Sequence, residues 1–120
     1  MARIYVTPDE LIVALGLFER MGAFVHGDAR IPMLNIRTAR AVADPWAELR
    51  GSRWPGIRLG RTVALGTWRF HGGRDFVAIH RRGPAVVVDL VGVEFARLII
   101  SAVDAAAIAD GIVRARAEAF

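Results

Sequence analysis

The sequence predicts a mainly β domain, of the α+β kind, in which a curled antiparallel sheet of about seven strands is capped by one C-terminal helix. Three observations carry this. Four short apolar stretches between Thr62 and Ser101 are separated by glycine-bearing turns. Only the final stretch, from Asp104 to Phe120, has a sustained helical period. The composition is that of a folded core: 120 residues, 54% hydrophobic, 23% charged and no cysteine. Together these predict a single domain over 1–120, with no disulfide frame, thiolate metal site or cysteine nucleophile.

The elements follow in order. Ala2 to Val6 reads as a short strand, and Thr7-Pro8-Asp9 as a turn. Glu10 to Gly16 is an apolar strand. Leu17 to His26 fits neither period, and its flanking and internal glycines argue against one long helix. Asp28 to Pro32 and Arg37 to Ala43 are further strands. Asp44 precedes Pro45, which suits a helix cap followed by a first helical residue, so a short helix is expected near 45–50 and a stop at Gly51. Gly51 to Gly60 reads as a loop, with three glycines and Pro55.

The strands Thr62 to Phe70, Asp75 to His80, Ala85 to Leu90 and Phe95 to Ser101 then form a meander. Treating Arg82-Gly83 as a two-residue hairpin sets Ile79 against Val86 and Val77 against Val88. In the helix, Asp104 stands at the cap, and Ile108, Ile112, Ala115 and Ala119 make an apolar stripe. That stripe is expected to bury itself on the end of the sheet.

Parts of this pattern resemble a known family. Arg30-Ile31-Pro32-Met33-Leu34-Asn35-Ile36 is similar to a strand-then-turn motif of bacterial pleckstrin-homology-like (PH-like) domains. The run from Phe95 to Ser101, followed by Val103-Asp104, resembles their last strand leading into the capping helix. Leu65 to Arg69 and Gly73 to Phe76 are similar to an uncharacterised actinobacterial branch of that family. The resemblance implies a PH-like binding fold. The basic residues that classical members place between their first two strands are reduced here to Arg20 beside Glu19, and the capping helix has no tryptophan.

Charge is concentrated in the middle of the chain. All sixteen basic residues are arginine, against twelve acids. Ten arginines and three acids fall within residues 37–82, a local surplus of seven. Arg50, Arg53, Arg58 and Arg61 surround Trp54 without an intervening acid, and arginine and tryptophan are the types most enriched at binding hot spots. These five residues are the candidate binding site. Trp54 is either a partner contact or a loop anchor. Trp68 shares a face with Ala64, Gly66 and Phe70 and is expected in the core, while Trp46 is expected to clamp the short helix to the sheet.

Catalytic patterns do not emerge. His26, His71 and His80 have no metal-ligand spacing, and Ser52 and Ser101 lie in no nucleophile elbow. No glycine-rich phosphate loop is present. The expected function is therefore a non-catalytic binding or assembly module that needs no cofactor. Its partner is expected to be another protein or a second copy, as a homodimer or larger assembly, since open strand edges invite pairing and lysine, a common edge guard, is missing. An anionic ligand, lipid or nucleic acid at the 50–61 stretch is the alternative, with an enzyme of unrecognised type behind it. No stretch is long and apolar enough for a transmembrane helix, and the expected location is cytoplasmic, with peripheral membrane association as a variant.

Overall fold

The computed structural model describes residues 3–14 and 29–120. The stretch Leu17 to His26, with Arg20 and His26, lies outside the described residues. Among the described residues nine strands are formed rather than about seven: β1 (Arg3–Val6), β2 (Glu10–Ala14), β3 (Ala29–Pro32), β4 (Ile36–Val42), β5 (Ser52–Leu59), β6 (Val63–Phe70), β7 (Gly73–His80), β8 (Ala85–Leu90) and β9 (Arg97–Ser101). Among the described residues one α-helix, α1 (Ala105–Ala119), follows β9. The mainly β architecture with a C-terminal helix is therefore as expected. β5 is the strand that none of the expected stretches covers; it occupies Gly51 to Gly60, expected to be a loop. Pro55 and Gly56 are accommodated there because β5 is an edge strand with a register shift between Arg53 and Gly56, and edges and bulges are where a sheet tolerates proline.

β1, β2 and β3 form a three-stranded antiparallel sheet. The other six strands run in the order β4-β8-β9-β7-β6-β5. All neighbours in this sheet are antiparallel except β7 and β9, which are parallel. This corrects the expected meander. β7 and β8 do not pair, because β9 inserts between them and Arg81 to Pro84 crosses the end of β9. The crossing spans two strand spacings, roughly 9.6 Å, which four residues reach easily. It is fastened where the Ala102 amide donates to the Pro84 carbonyl at 3.1 Å.

The inserted strand explains itself physically. Leu98-Ile99-Ile100 is apolar on both faces, and each of the three is at most 2% exposed. Such a strand needs cover above and below and so belongs in the middle of a sheet. Val86-Val87-Val88 in β8 has the same character. The actual register sets Val87 opposite Ile99 and puts Ile79 on their face, while Val86 and Val88 look the other way.

The larger core lies between the six-stranded sheet, the inner face of the three-stranded sheet and α1. Leu65, Phe76, Val86, Val88, Leu98 and Ile100 meet Leu11, Val13 and Ile31 there, with Ala105, Ala109 and Ile112 from the helix. The helical stripe thus runs through Ala105, Ala109 and Ile112, with Ile108 and Ala115 at its margins and Ala119 exposed. Asp104 stands at the N-cap position, but its side chain makes no capping bond.

The opposite face of the large sheet carries a smaller core of Trp46, Ala64, Trp68, Val77, Ile79, Val87 and Ile99. The cover here is the short helix expected near 45–50, a 3-10 turn over Pro45–Glu48, together with Leu49. Asp44 caps it, its Oδ1 accepting from the Trp46 amide at 3.2 Å.

Candidate functional site

β5 separates the five candidate residues instead of gathering them. Arg50 precedes the strand beside the β6–β7 turn, whereas Arg58 and Arg61 lie at the far end, in and after the β5–β6 turn. About eight extended residues, roughly 26 Å, part Arg50 from Arg58. Arg53 and Trp54 lie within β5, Arg53 opposite Trp68 of β6 and Trp54 in the stretch where the register shifts; the side chains of both are outside the described residues.

Arg50 is committed to structure. Its Nε donates to Asp75 Oδ2 at 2.6 Å and its Nη2 to Oδ1 at 2.9 Å, a two-pronged grip on a carboxylate that is 0% exposed. The guanidinium also lies 3.8 Å from the centre of the Phe70 ring. The bond from Asp75 holds the Arg50 pKa above its ordinary value, outweighing burial, with further attraction from Asp75, Asp89 and Glu48. This removes Arg50 from the candidate binding surface, since both prongs that would grip a ligand are used.

A second arginine–carboxylate pair stands level with the first. Arg97 in β9 lies between Asp75 in β7 and Asp89 in β8 by strand register. Arg97 Nε donates to Asp89 Oδ1 at 2.7 Å, and Thr38 Oγ1 donates to Oδ2 at 2.7 Å. Burial pushes the Asp89 pKa up, but the bonds from Arg97 and Thr38 and the nearby charges of Arg97 and Arg40 bring it below the usual value. Asp89 is therefore held ionised by Arg97 and Thr38, which suits cross-strand fastening.

The other end of the sheet is different. Trp46 is 7% exposed and its Nε1 donates to the Arg81 carbonyl at 3.0 Å. This fixes the 3-10 turn against the β7–β8 crossing, so Trp46 acts as the expected clamp. Arg81 has φ 59°, the left-handed region, and is the one non-glycine residue of that kind among the described residues. Its amide is tied to the Thr62 carbonyl of the β5–β6 turn. Two turns distant in sequence are thereby drawn together, and Arg61 and Arg82 come to line one hollow of about 400 Å³ with Ala43, Asp44, Pro45 and Trp46. Arg58 adds a third cation, its guanidinium 5.5 Å from the Trp46 ring centre and its Nε donating to the Gly60 carbonyl at 3.2 Å.

Arg58, Arg61, Arg81 and Arg82 are all exposed, and among the described residues none has an ion-pair partner within bonding distance. Elsewhere Arg30, Arg40, Arg74 and Arg97 are matched with Glu10, Glu48, Glu94 and Asp89. Asp44 is the acid that lines the hollow, and one of its oxygens is engaged as the cap of the 3-10 turn. The local balance is thus positive, with an aromatic floor.

Sequence reasoning found Arg58 and Arg61 but missed Arg81 and Arg82. The signal for these two was the doublet Arg81-Arg82 beside Gly83, which reads as an ordinary hairpin until β9 is known to separate β7 from β8. The histidines do not gather: His71 and His80 sit at opposite ends of β7, and His26 is outside the described residues. His80 cannot reach Asp89 along one ladder, because β9 runs between their strands. Among the described residues, no group of three or more His, Asp or Glu could hold a metal ion. Trp68 is 3% exposed, in the smaller core with Ala64.

Compared with protein-family models, curated proteins and solved structures, the chain matches none.

Proposed function

We propose that this chain is a non-catalytic binding module, and that the hollow lined by Arg61 and Arg82 receives an acidic segment of a protein partner. The observation that carries the reading is that Arg61 and Arg82 line one hollow with Trp46, the Arg58 guanidinium lies near the same ring, and none of the three has an internal acid to pair with among the described residues, when five other arginines have one. Exposed guanidinium groups beside a fixed aromatic surface can grip carboxylates in pairs and steer a negatively charged partner. The hollow is held by the Arg81 amide donating to the Thr62 carbonyl and the Trp46 Nε1 donating to the Arg81 carbonyl, so little ordering remains to oppose binding. The PH-like resemblance adds an analogy to a binding fold and says nothing of the ligand. No helix among the described residues is long and apolar enough to cross a membrane.

The test is retention on immobilised polyglutamate in a salt gradient. Replacing Arg61 and Arg82 together by Ala is expected to lower the eluting salt well beyond the effect of Arg37→Ala with Arg114→Ala, which removes the same charge from exposed sites elsewhere. Equal effects of the two pairs would reduce the hollow to general surface charge. Stronger, steeply salt-dependent retention on heparin, lost with Arg61 and Arg82, would favour a phosphate or sulfate backbone over an acidic protein.

A further inference from the structure

The described strands leave four sheet edges, and three of them are guarded. β4 carries Arg37 and Arg40 and a register shift between Ile36 and Thr38. β5 contains Pro55 and its own shift. β3 carries Arg30, paired with Glu10, and ends at Pro32. Each device is of the kind that blocks edge pairing. β1 has none beyond Arg3 at its start: its register against β2 is continuous, and Tyr5 and Val6 are 48% and 37% exposed. Tyr5 also lines a groove of about 350 Å³ with Val103, which is 91% exposed, so the apolar surface continues past the strand.

We propose that β1 pairs antiparallel with β1 of a second copy of this chain, about a two-fold axis at Tyr5. The register follows from three constraints. A two-fold axis relating antiparallel neighbours stands perpendicular to the sheet, so facing residues share parity and the two inner faces stay on one side. Within the hairpin, the Thr7 amide donates to the Glu10 carbonyl at 3.0 Å. Antiparallel alternation then turns the amides and carbonyls of Ile4 and Val6 away from β2, towards the open edge. Setting Ile4 opposite Val6 of the second copy pairs all four of these groups in each chain. The same register brings Tyr5 against Tyr5 on the outer face.

Charge agrees with this register. Arg3 of one copy meets Thr7 of the other, at the start of a turn that carries Asp9 and Glu10. The two copies of Arg3 end up at opposite ends of the ladder, so like charges do not meet. The two three-stranded sheets become one of six strands, with Leu11, Val13 and Ile31 of both copies on its inner face.

The absence of cysteine makes the test direct. In this register, position 5 is a non-hydrogen-bonded pair with Cα atoms about 4.5 Å apart, within disulfide reach, whereas the two copies of position 4 are offset by two residues and about 7–8 Å apart, outside it. Under mild oxidation, Tyr5→Cys is expected to give a band at twice the 13.1 kDa chain mass, at least tenfold faster than Ile4→Cys or the exposed control Val113→Cys. The parent should show a scattering mass rising from 13.1 kDa with concentration, and Arg3→Glu should weaken that rise. Faster linking through Ile4→Cys overturns the register. Linking of Tyr5→Cys no faster than Val113→Cys, or a parent mass fixed at 13.1 kDa while the edge accepts another protein's strand, overturns the proposal.

Discussion

Replacing Arg50 by Ala should unfold the protein more readily while leaving the arginine hollow intact. The magnitude follows from Asp75. That carboxylate is 0% exposed, and both of its oxygens accept from Arg50, at 2.6 and 2.9 Å. Removing one partner of a buried ion pair costs about 3–5 kcal/mol, because the remaining charge is left without compensation. The Arg50 side chain is itself 36% exposed, so water can reach part of the gap and the lower end, about 3 kcal/mol, is the appropriate figure. In a domain of this size that lowers Tm by about 12 °C. Asp75→Asn should cost less, about 1–2 kcal/mol, because a neutral amide is cheaper to bury and Arg50 can turn to water. The combination Arg50→Ala with Asp75→Asn should be less damaging than the sum of the two by at least 1 kcal/mol. Urea unfolding followed by tryptophan fluorescence measures all three. A loss under about 0.5 kcal/mol for Arg50→Ala, or strict additivity in the double variant, would refute the structural assignment of this pair.

Further expectations follow from other parts of the fold. Asp89 has its folded pKa depressed by Arg97 and Thr38 against the pull of burial, so its contribution is present above the unfolded carboxylate value of about 4 and disappears as pH falls through the lower folded value. Urea titrations from pH 6 down to pH 2 should show this acid loss, and Asp89→Asn should flatten it. Ile112 is 0% exposed in the larger core, so Ile112→Asp places an unpaired charge there; a cost of several kcal/mol should appear as a lost or strongly lowered thermal transition. Gly51 has φ +78°, and a Cβ at that position would lie 1.9 Å from the Arg69 carbonyl oxygen. Gly51→Ala should therefore lower stability by at least about 2 kcal/mol, from the left-handed backbone and the enforced shift of β5 away from β6, read as a fall in the urea midpoint.

Local signals read well in this chain, and pairing signals did not. The Asp44-Pro45 cap, the helix after Asp104 and the strands of the second half each depend on neighbouring residues, and each appears close to its expected place. β5 was hidden because glycines and a proline mark loops and bulged edge strands alike. The partner of β7 was hidden for another reason. Arg82-Gly83 satisfies the local demands of a hairpin, and only the need to cover both faces of Leu98-Ile99-Ile100 places β9 between β7 and β8. The candidate site inherits both errors. Four arginines close in sequence were spread along an extended strand, and Arg58 and Arg61 found new neighbours in Arg81 and Arg82 across the crossing.

The insertion of β9 also sets an order of events for folding. On a ribosome β5, β6 and β7 emerge before β8 and β9 and can zip as successive hairpins, but β8 has no place beside them until β9 is made. Until residues 97–101 are available, the row of Val77 and Ile79 in β7 and Val87 in β8 is divided between two unfinished pieces with exposed edges. A nascent or truncated chain ending before Arg97 is thus the most aggregation-prone form of this protein, and closure of the large sheet is a late, long-range step. The central strand acts as a keystone, made after every other strand of its sheet and locking two half-arches that cannot meet without it.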